Sequence, residues 1–155
     1  MLPFFYFLIP YLCYNNPRVL IRGMDAMDNN QYRILIVDDS DFSRSKISEM
    51  LDSPKYNIFG EAANAKEAIN ILKDRQAHIA IVDVVMPEVS GIELSEYISQ
   101  NFNKTMVIMI SSLGQENIVI DSISAGASDF LRKPFTKDEL VTSIEKLVSE
   151  IREDI

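Results

Sequence analysis

The sequence predicts an α/β fold built on a parallel sheet. Two observations carry this. From Tyr32 onward, apolar runs of strand length alternate with segments of helical period, and Gly, Pro, Ser and Asp punctuate the joins. The first of these runs, Arg33 to Val37, is also continuously apolar rather than alternating, as a strand buried on both faces should be.

The first strand reads Arg33 to Val37 and stops at Asp38-Asp39-Ser40, where Ser40 or Asp41 can cap a helix running to about Asp52. Asn57 to Ala62 reads as the second strand. It is followed by a helix over Lys66 to Arg75, with Ala68, Ile69 and Leu72 on one side. The third strand is Ile79 to Val82, ending in Asp83, and after Met86-Pro87 a helix covers Gly91 to Gln100. Met106 to Ile110 forms the fourth strand, ending in Ser111. A helix from Glu116 to Ala125 is then stopped by Gly126, which takes the left-handed conformation without a Cβ penalty. Ser128 to Leu131 is the fifth strand. The last helix places Leu140, Ile144, Leu147, Val148 and Ile151 at three- and four-residue spacing.

A chain of 155 residues suits one compact domain plus a tail. Asp and Glu outnumber Lys and Arg by 23 to 15, giving a net charge of -8, so the surface should repel nucleic-acid backbones and anionic membranes. Cys13 is the only cysteine and no Cys/His cluster could hold zinc, which points to a cytoplasmic setting. Met1 to Tyr14 is almost wholly apolar, but at roughly 14 residues and interrupted by Pro10 it is short of the ~20 needed for a spanning helix. Residues 1–30 are therefore set apart as an N-terminal extension. They are read as a disordered segment or as sequence upstream of a start at Met24 or Met27, with a membrane tether as the alternative; the domain is assigned to 31–155.

In an open parallel sheet, ligands bind beyond the carboxyl ends of the strands. The residues at those ends are Asp38, Asp39, Asp83, Ser111 and Lys133. Taken singly, an aspartate pair often caps a helix and a strand-end serine is often a turn residue; it is their coincidence at one sheet edge that points to chemistry. Three converging carboxylates repel one another unless a cation sits among them, and oxygen ligands with room for waters and phosphate oxygens favour Mg²⁺. Asp83 could then attack phosphorus, with Lys133 neutralising the equatorial oxygens and Ser111 donating to one of them, leaving an acyl phosphate.

These residues also carry a resemblance. Ile36 to Ser40 with Arg44, Val82 to Pro87 with Gly91, Ile110 to Ser112, and Gly126 to Phe135 match the receiver domain of two-component response regulators in order and separation. In length the chain is similar to the single-domain, CheY-like members. The resemblance covers about Tyr32 to Ile151 and implies a (βα)5 flavodoxin-like doubly wound sheet of strand order 2-1-3-4-5. It implies phosphorylation of Asp83 by a sensor histidine kinase, and Mg²⁺ bound by Asp39, Asp83, the Val85 backbone carbonyl and, through water, Asp38. It implies a cis Lys133-Pro134 bond, and a switch made of Ser111 and Phe130. Val85 and Leu113 match the two variable positions that tune hydrolysis, and neither can orient water.

The implied function is phosphorelay signalling, most naturally in chemotaxis or motility, read by a downstream partner: a motor switch or a phosphotransfer protein. Ile118, Val119, Ile120 and Ile123 give the fourth helix more apolar surface than one core stripe needs, so part of it should face that partner. The alternatives are a phosphorelay intermediate or a Mg²⁺-dependent aspartyl-phosphate phosphatase of the haloacid dehalogenase type. The phosphatase carries its acids as Asp-x-Asp after the first strand, unlike Asp38-Asp39. A nucleotide-binding protein would need a Gly-rich loop after the first strand, where only acids stand. His78 is read as a structural residue.

Overall fold

The computed structural model of the protein describes residues 31–153; the readings for residues 1–30 lie outside them. The elements are β1 (Tyr32–Val37), α1 (Asp41–Met50), β2 (Tyr56–Ala62), α2 (Ala65–Asp74), β3 (Ile79–Asp83), α3 (Gly91–Asn101), β4 (Met106–Ser111), α4 (Glu116–Ser124), β5 (Asp129–Arg132) and α5 (Lys137–Glu153). The five strands pair in parallel in the order β2-β1-β3-β4-β5, as expected.

Because side chains alternate across a strand, each central strand feeds two cores. Ile34, Ile36, Ile79, Ile81, Ile108 and Ile110 meet α1 and α5 through Ile47, Leu51, Leu140, Ile144 and Leu147. Leu35, Val37, Ala80, Val82, Val107 and Met109 face the opposite layer, where Ala68 and Leu72 of α2 and Leu94 and Ile98 of α3 cover them. Right-handed crossovers require this split: the chain leaves β1 toward one edge, then reverses direction, so α1 and the next three helices fall on opposite faces. Burying each such Ile or Leu side chain is worth about 1.5–3 kcal/mol.

The sequence boundaries shift by one or two residues. Ser40, not Asp41, is the cap of α1, its hydroxyl accepting from the Ser43 N–H at 3.3 Å, and the helix stops at Met50 rather than Asp52. Strand β5 starts at Asp129 rather than Ser128 and extends to Arg132. Helix α4 closes in a Schellman motif. The Ala127 N–H donates to the Ser122 carbonyl (3.1 Å) and that of Gly126 to Ile123 (3.0 Å), while Gly126 holds φ +87°. A Cβ at Gly126 would also lie 2.6 Å from that of Ser99.

His78 has a definite structural task. Its Nδ1 accepts the Arg33 N–H at 2.9 Å, its own N–H donates to the Arg33 carbonyl at 2.9 Å, and its ring meets Tyr32 edge-on at 5.9 Å. The imidazole thus extends the β1–β3 ladder past Ile79. Burial, then the neighbouring Arg33 charge, push its pKa below the usual 6.5. A protonated Nδ1 could no longer accept. Stability from this contact should be complete above pH 6.5 and fade as pH falls below it, since the unfolded chain takes up the proton first. Thermal melts of the protein and of His78→Phe should therefore differ most near pH 8 and converge toward pH 5.

Candidate functional site

Strand register assembles the site. Val37 pairs with Val82 across β1 and β3, so Asp38 and Asp83 emerge side by side where the strand order reverses. Asp83 pairs with Ile110, and Ser111 with Arg132, which brings Ser111 and Lys133 to the same edge. Carboxylate oxygens of Asp38, Asp39 and Asp83 all lie within 4.8 Å of one another. Lys133 Nζ stands 2.7 Å from Asp38 Oδ2 and 3.3 Å from Asp83 Oδ1. The peptide bond between Lys133 and Pro134 is cis.

Asp38 and Asp83 are buried, at 1% and 7% exposure, whereas Asp39 is exposed. Burial pushes the Asp83 carboxyl up from 3.8 to about 6; Lys133 opposes the rise, and the Asp38 and Asp39 charges add to it. Burial alone would lower the Lys133 ammonium, but the hydrogen bond to Asp38 and the charges of Asp83 and Asp38 hold it above its ordinary value. One ammonium does not neutralise three acids. The donor set suits a divalent ion: hard oxygens, one open acid on the solvent side, and Asp38 already accepting from Lys133 and from the Ser40 N–H at 2.9 Å.

The backbone beneath is tightly packed. A Cβ at Gly91 would lie 2.0 Å from the Asp83 carbonyl oxygen, and the Gly91 N–H donates to the Val84 carbonyl at 2.9 Å, so α3 begins directly against the end of β3. Ser90 caps that helix in a reciprocal box with Glu93. In the intervening loop Glu88 takes φ 67° and Val85 is 52% exposed.

Ser111 is buried, its hydroxyl accepting from the Leu113 N–H at 3.0 Å. Phe130 is half-buried and packs against the core beneath α2 and α3. By side-chain alternation Ser111 and Phe130 fall on the face of the sheet covered by α2 and α3, with Ser111 at the same carboxyl edge as the carboxylates. Of the four apolar residues on α4, Ile118 packs on the core, while Ile120 and Ile123 are 57% and 49% exposed. Asp41 is marked in the sequence only as a possible helix cap, and nothing there marks Glu61. Both contact Arg44, Glu61 through its Nε at 3.3 Å.

The sequence profile of the response regulator receiver domain matches residues 34–145. The chain belongs to this family. It is 37% identical over 118 residues to the chemotaxis protein CheY of Bacillus subtilis, covering 76% of this chain and 98% of that one. Against CheY of Thermotoga maritima it is 36% identical, covering 74% and 96%. Among solved structures, the CheX-CheY-BeF3-Mg+2 complex from Borrelia burgdorferi superposes with a TM-score of 0.72 at 31% identity, covering 76% of this chain and 89% of that one. The fold and the CheY-like resemblance are therefore as the sequence predicts. This receiver is a signalling domain rather than a conventional enzyme.

The raised Asp83 pKa has a measurable consequence in metal-free buffer. The folded state resists ionising this acid, so the penalty is absent below pH 3.8 and grows until pH passes about 6. At pH 7.5 without metal, Asp83→Asn should melt a few degrees higher than the parent protein, and the two should converge in acid.

Proposed function

We propose that this receiver takes a phosphoryl group on Asp83 from a sensor histidine kinase and passes the signal to a downstream protein, most naturally in the control of chemotaxis or motility. The observation that carries the reading is the buried, charge-strained Asp83 within reach of two further acids and one ammonium. An Asp83 oxygen attacks phosphorus on a donor imidazole, the P–N bond breaks, and the nitrogen recovers a proton. Lys133 Nζ, between Asp38 and Asp83, needs only a small shift to meet a phosphoryl oxygen. Asp39, Asp83 and the Val85 backbone carbonyl are assigned to Mg²⁺, with Asp38, whose oxygens accept from the Ser40 N–H and Lys133, acting through water. When bound, that ion would offset the charge on the equatorial oxygens.

Ser111 is assigned to the switch. Moving its hydroxyl toward a phosphoryl oxygen releases the Leu113 N–H and frees space near Phe130, which sits on the same face. The output surface would then be α4, β5 and α5, where Ile120 and Ile123 supply exposed apolar contact area. The CheX-CheY complex supports a protein partner of this general kind. The proposed compartment is the cytoplasm; among the described residues no helix is long and apolar enough to cross a membrane.

The aliphatic, exposed Val85 and Leu113 leave no side chain there to align an attacking water, which favours a long-lived phosphoryl group. That property would also suit a phosphorelay intermediate.

Incubation with acetyl phosphate and Mg²⁺ should add the mass of one phosphoryl group to the protein and none to Asp83→Asn. No gain in the parent protein, under conditions where an acyl phosphate survives, would overturn the assignment. Val85→Asn should shorten the phosphoryl lifetime several-fold; an unchanged decay would remove Val85 from the account.

A further inference from the structure

Asp38 is held through every polar group it has. Its N–H donates to the Ala62 carbonyl at 3.1 Å, Oδ1 accepts from the Ser40 N–H at 2.9 Å, and Oδ2 accepts from Lys133 at 2.7 Å. The remaining group, the backbone carbonyl, accepts from Arg44 Nη1 at 2.6 Å. Arg44 is itself anchored. Its Nε donates to Glu61 Oε2 at 3.3 Å, Nη2 pairs with Asp41, and the side chain is only 13% exposed. One planar guanidinium therefore ties the end of β1 to the end of β2 and the first turn of α1, a task for a rigid fork of donors.

The Asp38 carbonyl belongs to the peptide plane that joins Asp38 to Asp39. Because that plane is rigid, fixing the carbonyl direction also fixes the Asp39 N–H and the point from which the Asp39 side chain departs. We propose that Arg44 is a positioning residue for the metal seat, holding the Asp38–Asp39 peptide plane against β2 so that both carboxylates face Asp83. This rests on the Mg²⁺ reading above. Arg44 touches neither the acceptor nor the metal ligands' carboxylates in that reading; it acts through the backbone.

Charge alone predicts the opposite effect. Arg44 is a cation close to a cation site, so removing it, and freeing Asp41 and Glu61, should tighten Mg²⁺ binding by Coulomb attraction. Positioning predicts weaker binding in spite of that gain. The sign of the change decides between them.

The experiment is calorimetric titration of Mg²⁺ into the full chain, its Arg44→Met variant and its Arg44→Lys variant, with amide hydrogen exchange of the metal-free proteins alongside. Arg44→Met should bind Mg²⁺ about 10-fold more weakly, the usual scale for losing a group that orients a ligand. Arg44→Lys keeps the charge but cannot bridge the Asp38 carbonyl and Glu61 together, and should recover little affinity. In both variants the amides of Asp39 and Ser40 should exchange faster without metal, and Asp83 should still take a phosphoryl group from acetyl phosphate, releasing acetate, at saturating Mg²⁺. Equal or tighter Mg²⁺ binding by Arg44→Met, or full recovery by Arg44→Lys, overturns the inference and leaves the metal reading standing. Failure of the parent protein to bind Mg²⁺ overturns both. If Arg44→Met does not fold, the Arg44→Lys titration and exchange decide alone.

Discussion

The pairing of β1 with β3 is the constraint on which the rest depends. Their register sets Val37 against Val82, so the next residue along β1 and the last of β3 are two carboxylates held abreast. Buried isoleucines on one face and buried Leu35, Val37, Ala80 and Val82 on the other hold that register, because a one-residue slip would exchange the two faces and leave neither core matched to its helices. Much of the hydrophobic interior can be understood as what keeps two like charges side by side.

That juxtaposition is unfavourable, and the neighbouring elements limit its cost without removing it. Lys133, delivered from β5, reaches across to both acids. Arg44, delivered from α1, takes the carbonyl of the first. Gly91 allows the end of β3 to run hard against α3, so Asp83 has little freedom to move away from the other carboxylates. A buried carboxyl whose pKa still rises to about 6 with an ammonium 3.3 Å away is poised for a partner that brings more positive charge.

The same alternation of side chains sorts the remaining candidates. Asp38 and Asp83 follow Ile36 and Ile81, and Lys133 follows Leu131, on the face toward α1 and α5, while Ser111 follows Met109, beside Phe130, toward the opposite layer. The charged groups and these two side chains are therefore on different faces of one sheet, meeting at its carboxyl edge.

Much of this was legible in the sequence. The central strands β1, β3 and β4 carry continuous apolar runs closed by a polar residue, and helices have local starts or stops such as Gly126 after α4, so element type and order follow from short-range patterns. The strand-end residues could be gathered because a parallel sheet places all its carboxyl ends at one edge, whatever the loops between them. Tertiary structure alone decided the contacts made between elements distant in sequence. Glu61 is an ordinary charge on β2 until Arg44 meets it, and His78 is a lone histidine until the Arg33 N–H points at its Nδ1. Likewise, helical periodicity marks an excess of apolar residues on α4, but only packing distinguishes Ile118, turned to the core, from Ile120 and Ile123, left in water. Local pattern fixes what a segment becomes; which side chains then share a hydrogen bond or a burial site depends on three-dimensional placement that no sequence window contains.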